Sequence, residues 1–283
     1  MRRVVKLCIS LCFWTGVSAW RVANRALGRW LPATRIALYY HAISKDEAPR
    51  FAAQMELLKK LARPVLLNGV EDLKEGNRYA AVTFDDGSQS FFQDVLPLLL
   101  RYQIPATVFV VAGYLGSHQG WPDVPWDPNP DEPVMTGTQV RKLPAELITV
   151  GSHTMTHPDL TLLADEEIRR ELVDSKQTLE STTGRPVTLL SVPYSLYDER
   201  VVRLAAEAGY EKVFVGLVKP DIKGGPVLGR VHANPSDSKL EFRLKLLGYY
   251  DWVSAASYYK RKILDHFRGR RERGVEECKN WGT

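Results

Sequence analysis

Short apolar runs alternate with helical patterns from residue 35 to residue 231, and this alternation restricts the fold more than any other feature of the chain. Strands are predicted over residues 35–40, 65–67, 79–84, 104–111, 146–151, 187–192, 212–217 and 227–231. Helices are predicted between them over residues 49–62, 89–102 and 198–208, and from a cap at Asp165 to Gly184. Such alternation is typical of a parallel sheet with helices outside it, and about seven strand–helix units suit a closed or nearly closed barrel.

Basic residues are concentrated at both ends of the 283-residue chain, which has a formal net charge of +5. Residues 1–35 hold seven Lys or Arg and no Asp or Glu, and residues 259–283 hold eight against four acids. The body between them is therefore acidic, which argues against a nucleic-acid-binding face. Basic ends beside apolar segments better suit an anionic membrane surface.

An apolar run from Leu7 to Trp20 follows three basic residues near the amino terminus. Its roughly 14 residues are short for a spanning helix, which needs ~20. The run fits a signal-peptide core, because Val17–Ala19 offers small residues for cleavage. Arginines at positions 21, 25 and 29 continue a helical spacing and favour an uncleaved amphipathic helix on a membrane surface. A signal or anchor and an ordinary soluble helix are the alternatives.

Three parts are therefore expected along the chain. Residues 1–31 form a membrane-associated segment, residues 32–237 the barrel domain, and residues 238–283 a helical extension with a basic tail. The expected location is membrane-associated, in the cell envelope or on the cytoplasmic face of the inner membrane.

Two adjacent carboxylates, Asp85 and Asp86, end the predicted strand 79–84 and precede Gly87. The glycine permits a sharp turn, and the strand delivers both side chains to its carboxyl end, where α/β folds place their chemistry. Two like charges repel, and burying them unpaired is costly. A cation or a shared proton would remove that cost.

Two histidines, His153 and His157, follow another predicted strand at a spacing of four. Together with one of the two aspartates they form a ligand set suited to Zn²⁺ or a similar divalent ion, with positions left for water and substrate. The other aspartate then lies beside the ion as a general base. The competing interpretation is that the aspartates cap the next helix and the histidines are structural; both pairs lying at strand ends argues against it.

The segments Thr83–Gly87 and His153–Pro158 resemble motifs of the polysaccharide deacetylase family, also called the NodB-homology family or carbohydrate esterase family 4. Leu38–His41 and Phe51–Met55 also look like a branch that acts on exported or lipid-linked glycans. The resemblance covers about residues 36–231 and implies a distorted (β/α)7-type barrel that removes N-acetyl groups from amino sugars with a metal, Zn²⁺ first and Co²⁺, Ni²⁺ or Mn²⁺ as alternatives.

Residue roles follow from the resemblance by position. Asp85 would be the general base, and Asp86, His153 and His157 the metal ligands. Thr154 would lie near the released acetate.

The family's third motif, Arg-x-Pro-Tyr-Gly, is altered here to Ser191–Ser195. Pro193 and Tyr194 match it and are expected at the substrate, where the Tyr194 backbone N–H would stabilise the oxyanion. The family's arginine, which pairs with the catalytic aspartate, is missing. Arg230, at the end of the last strand, is predicted to supply that charge.

The family's late Leu-x-x-His motif, which supplies the general acid, has no good match. His232 follows a strand end and is the nearby candidate; His41 also ends a strand, and His266 lies on a basic segment. A structural role is as good an account of each, and Asp85 could then perform both proton transfers.

A long loop at residues 113–137 contains Trp121 and Trp126, whose faces could stack on a sugar ring or simply cover the barrel rim. The expected function is thus deacetylation of a glycan or lipid-linked glycan. Hydrolysis of another C–N bond, such as a cyclic amide, and a glycan-binding module without catalysis are the alternatives.

Overall fold

A sheet of parallel strands forms the centre of the protein in the computed structural model, which describes residues 2–28, 33–67, 74, 76–121, 131–216, 226–250 and 252. The strands are β1 (Thr34–Tyr40), β2 (Arg63–Pro64), β3 (Arg78–Phe84), β4 (Ala106–Val110), β5 (Ile148–Ser152), β6 (Leu189–Ser191), β7 (Lys212–Val215), β8 (Val227–Gly229) and β9 (Val231–His232). Their order in the sheet is β8-β7-β6-β5-β4-β3-β1-β9, with β2 added beside the start of β3.

The two ends of this sheet are consecutive in the chain. β8 pairs with β7, β9 pairs with β1, and Arg230 alone separates β8 from β9. The continuous segment from β8 through Arg230 to β9 therefore pairs first with β7 and then with β1. This pairing closes the sheet into a barrel with seven strand positions. The predicted parallel, nearly closed barrel is confirmed.

Helices surround the barrel because each buries one apolar face against it. They are α1 (Arg2–Ala26), α2 (Ala48–Leu61), α3 (Leu96–Tyr102), α4 (Gly137–Arg141), α5 (Asp165–Thr183), α6 (Glu199–Glu207) and α7 (Lys239–Leu246). In α5 the buried residues Ile168, Leu172, Ser175 and Leu179 recur every three or four positions. Gly184 ends α5 in the left-handed conformation, at φ +67°.

Three local predictions were wrong in detail. The short strand lies at Arg63–Pro64, not at 65–67. The helix predicted over 89–102 contains a π-helical stretch, Phe91–Val95, ahead of α3; Pro97, which has no N–H to donate, enters the helix at that point. Asp165 is the first residue of α5 rather than its cap, since the preceding Ala164 N–H is held by the Glu167 carboxylate at 2.9 Å.

Both ends of the chain contribute helices, as expected. No described helix has the combined length and apolar content needed to cross a bilayer. At the other end α7 is described, and residues 253–283, with the rest of the predicted helices and the basic tail, lie outside the described residues. The membrane role of the first part and the division of the chain into three parts stay predictions.

Candidate active site

The sequence-predicted polar residues meet at the carboxyl ends of the strands. Asp85 and Asp86 follow β3, His153 and His157 follow β5, and Tyr194 follows β6. They share a cavity of about 650 Å³ with residues from the ends of β1 and β9. Its wall includes Tyr39, His41, Asp85, Asp86, Gln119, Trp121, His153, His157, Tyr194, Ser195, His232 and Asn234.

Three possible metal ligands converge in this cavity. The Oδ1 atom of Asp86 lies 3.4 Å from Nε2 of His153 and 3.7 Å from Nε2 of His157. One ligand atom from each residue falls within 4.8 Å of the others, and all three residues are buried. The spacing brings these atoms around a single point.

The hydrogen bonds of the imidazoles fix which nitrogen is free to bind a cation. Nδ1 of His153 lies 2.7 Å from the Ser191 carbonyl oxygen, which can only accept, so this nitrogen carries the proton. Nδ1 of His157 lies 3.0 Å from the Tyr194 hydroxyl, which itself donates to the His157 carbonyl oxygen at 3.2 Å. Nδ1 of His157 is therefore the donor, and the Nε2 lone pairs of both histidines face the Asp86 carboxylate.

Three acceptor atoms pointing at one another without a cation are electrostatically unfavourable. Burial opposes charge on His153, yet the nearby carboxylates of Asp86 and Asp85 raise the pKa of His153. Burial and the neighbouring His153 lower the pKa of His157 to about 3. The site therefore favours one positive charge between these side chains, and one carboxylate with two imidazoles is a donor set that fits a divalent transition-metal ion.

The loop that carries the histidines is fixed by its own polar contacts. Thr154 and His157 both have left-handed backbone, at φ +68° and +64°. The Glu171 carboxylate on α5 accepts the N–H groups of Met155 and Thr156 at 2.8 and 2.9 Å. The Thr154 hydroxyl accepts the His157 N–H at 3.0 Å. The strained turn is thereby held in the one conformation that aims both rings at Asp86.

Arg230 lies against Asp85 as a two-pronged ion pair. Its Nη1 and Nη2 atoms donate to the two Asp85 carboxylate oxygens at 2.7 and 2.8 Å. Nη2 also donates to the Ser191 hydroxyl at 2.7 Å. Burial alone would raise the pKa of Asp85, but the Arg230 guanidinium outweighs it and the pKa is lowered. The structure thus brings together the two residues whose pairing the sequence suggested, with the small Ser191 leaving room for the guanidinium.

The altered third motif forms a tight turn after β6. Tyr194 and Ser195 have φ values of +55° and +57°. At Ser195, where the family has glycine, the hydroxyl accepts the Gly216 N–H at 2.7 Å. This bond ties the turn to the end of β7 and offsets part of the backbone strain.

The predicted sugar contacts have mixed outcomes. Trp121 lines the cavity and stacks on His157, with ring centroids 4.7 Å apart and planes at 26°. Trp126 lies outside the described residues. Among the described residues the cavity wall includes neither Thr154 nor Pro193. Both residues are buried, and the Thr154 hydroxyl accepts a hydrogen bond within the histidine loop. Their contact with substrate stays a prediction.

Two of the three candidate acid histidines face the cavity. The rings of His41 and His232 lie 5.7 Å apart, and each is near Tyr39. The surrounding protein, together with His41 and Lys245, lowers the pKa of His232, although the residue keeps a solvent-exposed surface. His266 lies outside the described residues.

Several functional neighbours were missed by sequence reasoning. Tyr39 lies under the Arg230 guanidinium at 4.9 Å, Glu171 holds the histidine loop, and Gln119 and Asn234 line the cavity. Each meets the site through contacts distant in sequence, and no local pattern marks it.

The barrel and the chemistry at its open end place the chain among the α/β-barrel hydrolases. Residues 72–213 match the family model described as polysaccharide deacetylase, and the chain belongs to the polysaccharide deacetylase family. The predicted enzyme class, a hydrolase of non-peptide carbon–nitrogen bonds, is confirmed by this membership.

Two relatives and one solved structure illustrate the similarity. The chain is 27% identical to YxkH of Bacillus subtilis (strain 168) over 225 residues, 75% of each protein. It is 29% identical to the chitooligosaccharide deacetylase of Bradyrhizobium sp. (strain ANU 289) over 140 residues, 49% of this chain and 56% of that protein. IcaB from Ammonifex degensii has the same fold, with a TM-score of 0.62 at 21% identity, covering 78% of this chain and 99% of that one.

Proposed function

We propose that the protein is a metal-dependent deacetylase that removes N-acetyl groups from an amino-sugar-containing glycan or glycolipid. The observation that carries this proposal is the convergence of Asp86, His153 and His157 beside an arginine-paired Asp85 in one cavity. Carbohydrate as the substrate class is supported by the family and by the named chitooligosaccharide deacetylases.

The Nε2 atoms of His153 and His157 and the Asp86 carboxylate would hold the ion, with Zn²⁺ the best match to two imidazoles and one carboxylate. When bound, a divalent ion of this kind supplies Lewis acidity toward the attacking water and the acetamide oxygen. The Ser191 carbonyl and the Tyr194 hydroxyl keep the two imidazoles in the tautomer that binding requires.

Asp85 takes the proton of the attacking water. Its carboxylate is next to Asp86 in sequence, lines the same cavity and has a lowered pKa, so it is ionised at neutral pH. Arg230 fixes both of its oxygens and so orients the carboxylate for proton transfer.

The remaining steps use the other walls of the cavity. The Tyr194 backbone N–H donates to the oxyanion of the tetrahedral intermediate. The leaving nitrogen then needs a proton, and Asp85 returns the one it accepted. His232, with a pKa of about 3, is neutral at pH 7 and is a poor proton reservoir, so we favour Asp85 for both transfers.

Of the two alternative functions, the non-catalytic glycan-binding module loses support, and the cyclic-amide hydrolase can be distinguished by an assay. The case for a non-catalytic glycan-binding module rested on the missing arginine at position 191 and on the unassigned general acid. The first of these loses its force, because Arg230 pairs with Asp85 and bonds the Ser191 hydroxyl. No contact in the described cavity favours a cyclic amide over an acetamide. Acetate release measured on N-acetylglucosamine oligomers distinguishes these substrates.

The test combines metal content with turnover. We expect purified protein to hold one divalent ion per chain and to release acetate, both abolished by chelation and restored by Zn²⁺. Asp85→Asn should keep the metal and lose about 10²–10⁴-fold in kcat, whereas Asp86→Ala should lose the metal itself. Retained metal in Asp86→Ala, or full turnover by Asp85→Asn, would refute these assignments.

A further inference from the structure

The inner face of α1 is packed onto α7 and the residues that follow it. Leu7, Leu11, Trp14 and Val17 lie against a buried cluster of Leu244, Tyr249 and Tyr250. Ser10 is fully buried, and its hydroxyl accepts the indole N–H of Trp252 at 2.9 Å. The helix is therefore a fixed part of the described structure rather than a loose extension.

The outer face of α1 carries a second apolar surface. Val5, Ile9, Phe13 and Trp20 are 50%, 39%, 55% and 56% exposed, and their spacing places them in one row along the helix. We call these four residues the outer stripe. Leu27, just past the end of α1, continues it at 68% exposure. A row of large apolar side chains in water is unusual and marks an interaction surface.

The charge around the outer stripe indicates an anionic partner. The first 35 residues contain seven Lys or Arg and no acid, and Lys6 is exposed within α1. An apolar row with two aromatic members, on a segment whose sequence is basic and holds no acidic residue, is the composition of a helix that lies in the headgroup region of an anionic bilayer.

The direction of α1 relates this surface to the catalytic cavity. Trp14, Ser18 and Val22 share a small pocket with Leu61 and Arg78, at the end of the barrel where β3 begins. Towards its amino terminus, Leu7 and Leu11 of α1 belong to the same apolar cluster as Val231, the residue before His232 of the catalytic cavity. The carboxyl-terminal half of α1 therefore lies toward the end of the barrel where β3 begins, and its amino-terminal half shares a cluster with the strand that leads into the cavity.

We infer that the outer stripe docks on an anionic lipid bilayer and holds the catalytic cavity beside the headgroups, so that the substrate is an amino sugar held at the bilayer surface. The evidence for membrane docking comes from the α1 segment alone. The substrate class rests on the proposed deacetylase function. The inner face is covered by protein, so α1 would lie along the membrane with only its outer side in lipid.

The first test measures binding without any turnover. Full-length protein is sedimented with vesicles of phosphatidylcholine alone and of phosphatidylcholine mixed with phosphatidylglycerol. We expect binding to the anionic vesicles, weakened about tenfold or more by Phe13→Glu, because one phenylalanine side chain no longer leaves water. Thr15→Glu is the matched control: it adds the same charge two residues away, on the opposite side of the helix, and should cost much less.

Three results would overturn the docking. They are an absence of binding by the wild-type protein, equal weakening by the two glutamate variants, and a wild-type dimer that only Phe13→Glu dissociates. The last would assign the outer stripe to a second copy of the chain.

The second test addresses the substrate and separates the two proposals. Wild-type, Phe13→Glu and Thr15→Glu proteins are compared on a soluble N-acetylglucosamine oligomer and on an N-acetylglucosaminyl glycolipid in anionic vesicles. We expect equal rates on the oligomer and a tenfold or greater loss for Phe13→Glu on the vesicles alone. Equal rates of all three on the vesicles would refute the membrane-held substrate. Failure of wild-type protein on both substrates, with vesicle binding intact, would count against the deacetylase function instead.

Discussion

Tyr194 contributes to the site through both its backbone and its side chain. Its backbone turns in the left-handed region toward the cavity, while its hydroxyl holds Nδ1 and the carbonyl of His157. A hydroxyl that fixes the tautomer of a metal-binding histidine raises the affinity of the site for its metal ion.

Tyr194→Phe should therefore weaken metal binding while leaving the fold intact. We expect the Kd for Zn²⁺, measured by competition with a chromogenic chelator, to rise about ten- to a hundredfold. Tyr197→Phe is the matched control, since the buried Tyr197 hydroxyl has no hydrogen-bond partner within the described part of the chain. Equal Kd values for the two variants would show that the hydroxyl does not tune His157.

Single residues with a local signal could be placed from sequence alone. Asp85, Asp86, His153 and His157 stand out because short polar groups directly follow apolar strands, and the structure brings all four into one cavity. The Tyr194 hydroxyl could not be assigned, because its contact with His157 spans 37 residues and depends on the turn geometry of both loops. Likewise the bond between the Thr154 hydroxyl and the His157 N–H could not be predicted, because it depends on the left-handed backbone of that loop.

Among the elements, α5 is joined to the barrel by a buried polar contact. The Tyr210 hydroxyl donates to the Leu172 carbonyl oxygen at 2.9 Å and lies 3.2 Å from the Ser175 hydroxyl. Burial raises the pKa of Tyr210 to about 12, against an ordinary value of 10.0. The folded protein thus keeps a proton on Tyr210 that the unfolded chain releases above pH 10.

Tyr210→Phe should change the alkaline stability of the fold in a defined direction. A raised folded-state pKa gives stability that is complete below pH 10 and is lost as pH rises toward 12, at up to about 1.4 kcal/mol per pH unit. Wild-type protein should exceed the variant by about 1 kcal/mol at pH 8, and the difference should fall through zero and reverse in sign between pH 10 and 12, because the pH-dependent loss there exceeds that starting value. Urea unfolding at each pH measures it, with Tyr114→Phe as a control for loss of a tyrosine hydroxyl elsewhere. A constant difference across that range would contradict the assignment.

Strands and helices could be predicted from the sequence where the periodic pattern of apolar residues was long and uninterrupted. The run of buried residues in β3 and the helical spacing in α5 both produced elements of the predicted type. The π-helical stretch Phe91–Val95 was missed, because its residues read as ordinary helix and the cause lies in how Pro97 joins the next turn. The short β2 depends on pairing with the start of β3, which no local pattern records.

For the whole molecule, closure of the barrel and pairing of the Asp85 carboxylate depend on the same residue. Arg230 is where the chain passes from β8 to β9, its backbone N–H donates to Val215 at 2.8 Å, and its side chain ends on Asp85. Sequence reasoning found the candidate because an arginine ends the last strand and one is missing at Ser191. It could not predict that the sheet ends are joined there, because closure follows from the register of all the strands together.

Arg230→Gln should consequently damage both stability and activity. It leaves a buried carboxylate without its partner, so we expect a loss of about 3–5 kcal/mol in the free energy of unfolding together with loss of acetate release. Arg203→Gln removes an arginine from an exposed network with Asp165 and Glu207 and should cost far less than Arg230→Gln, because solvent screens exposed ion pairs. Adding Ser191→Arg to Arg230→Gln restores the family's arginine position and should recover part of both losses, because either position directs a guanidinium at Asp85. Urea unfolding midpoints and acetate release, measured on all four proteins, decide the matter. If Arg230→Gln is as stable as Arg203→Gln, or if the double variant recovers neither property, the Asp85–Arg230 pair does not hold the closed barrel and the catalytic base together.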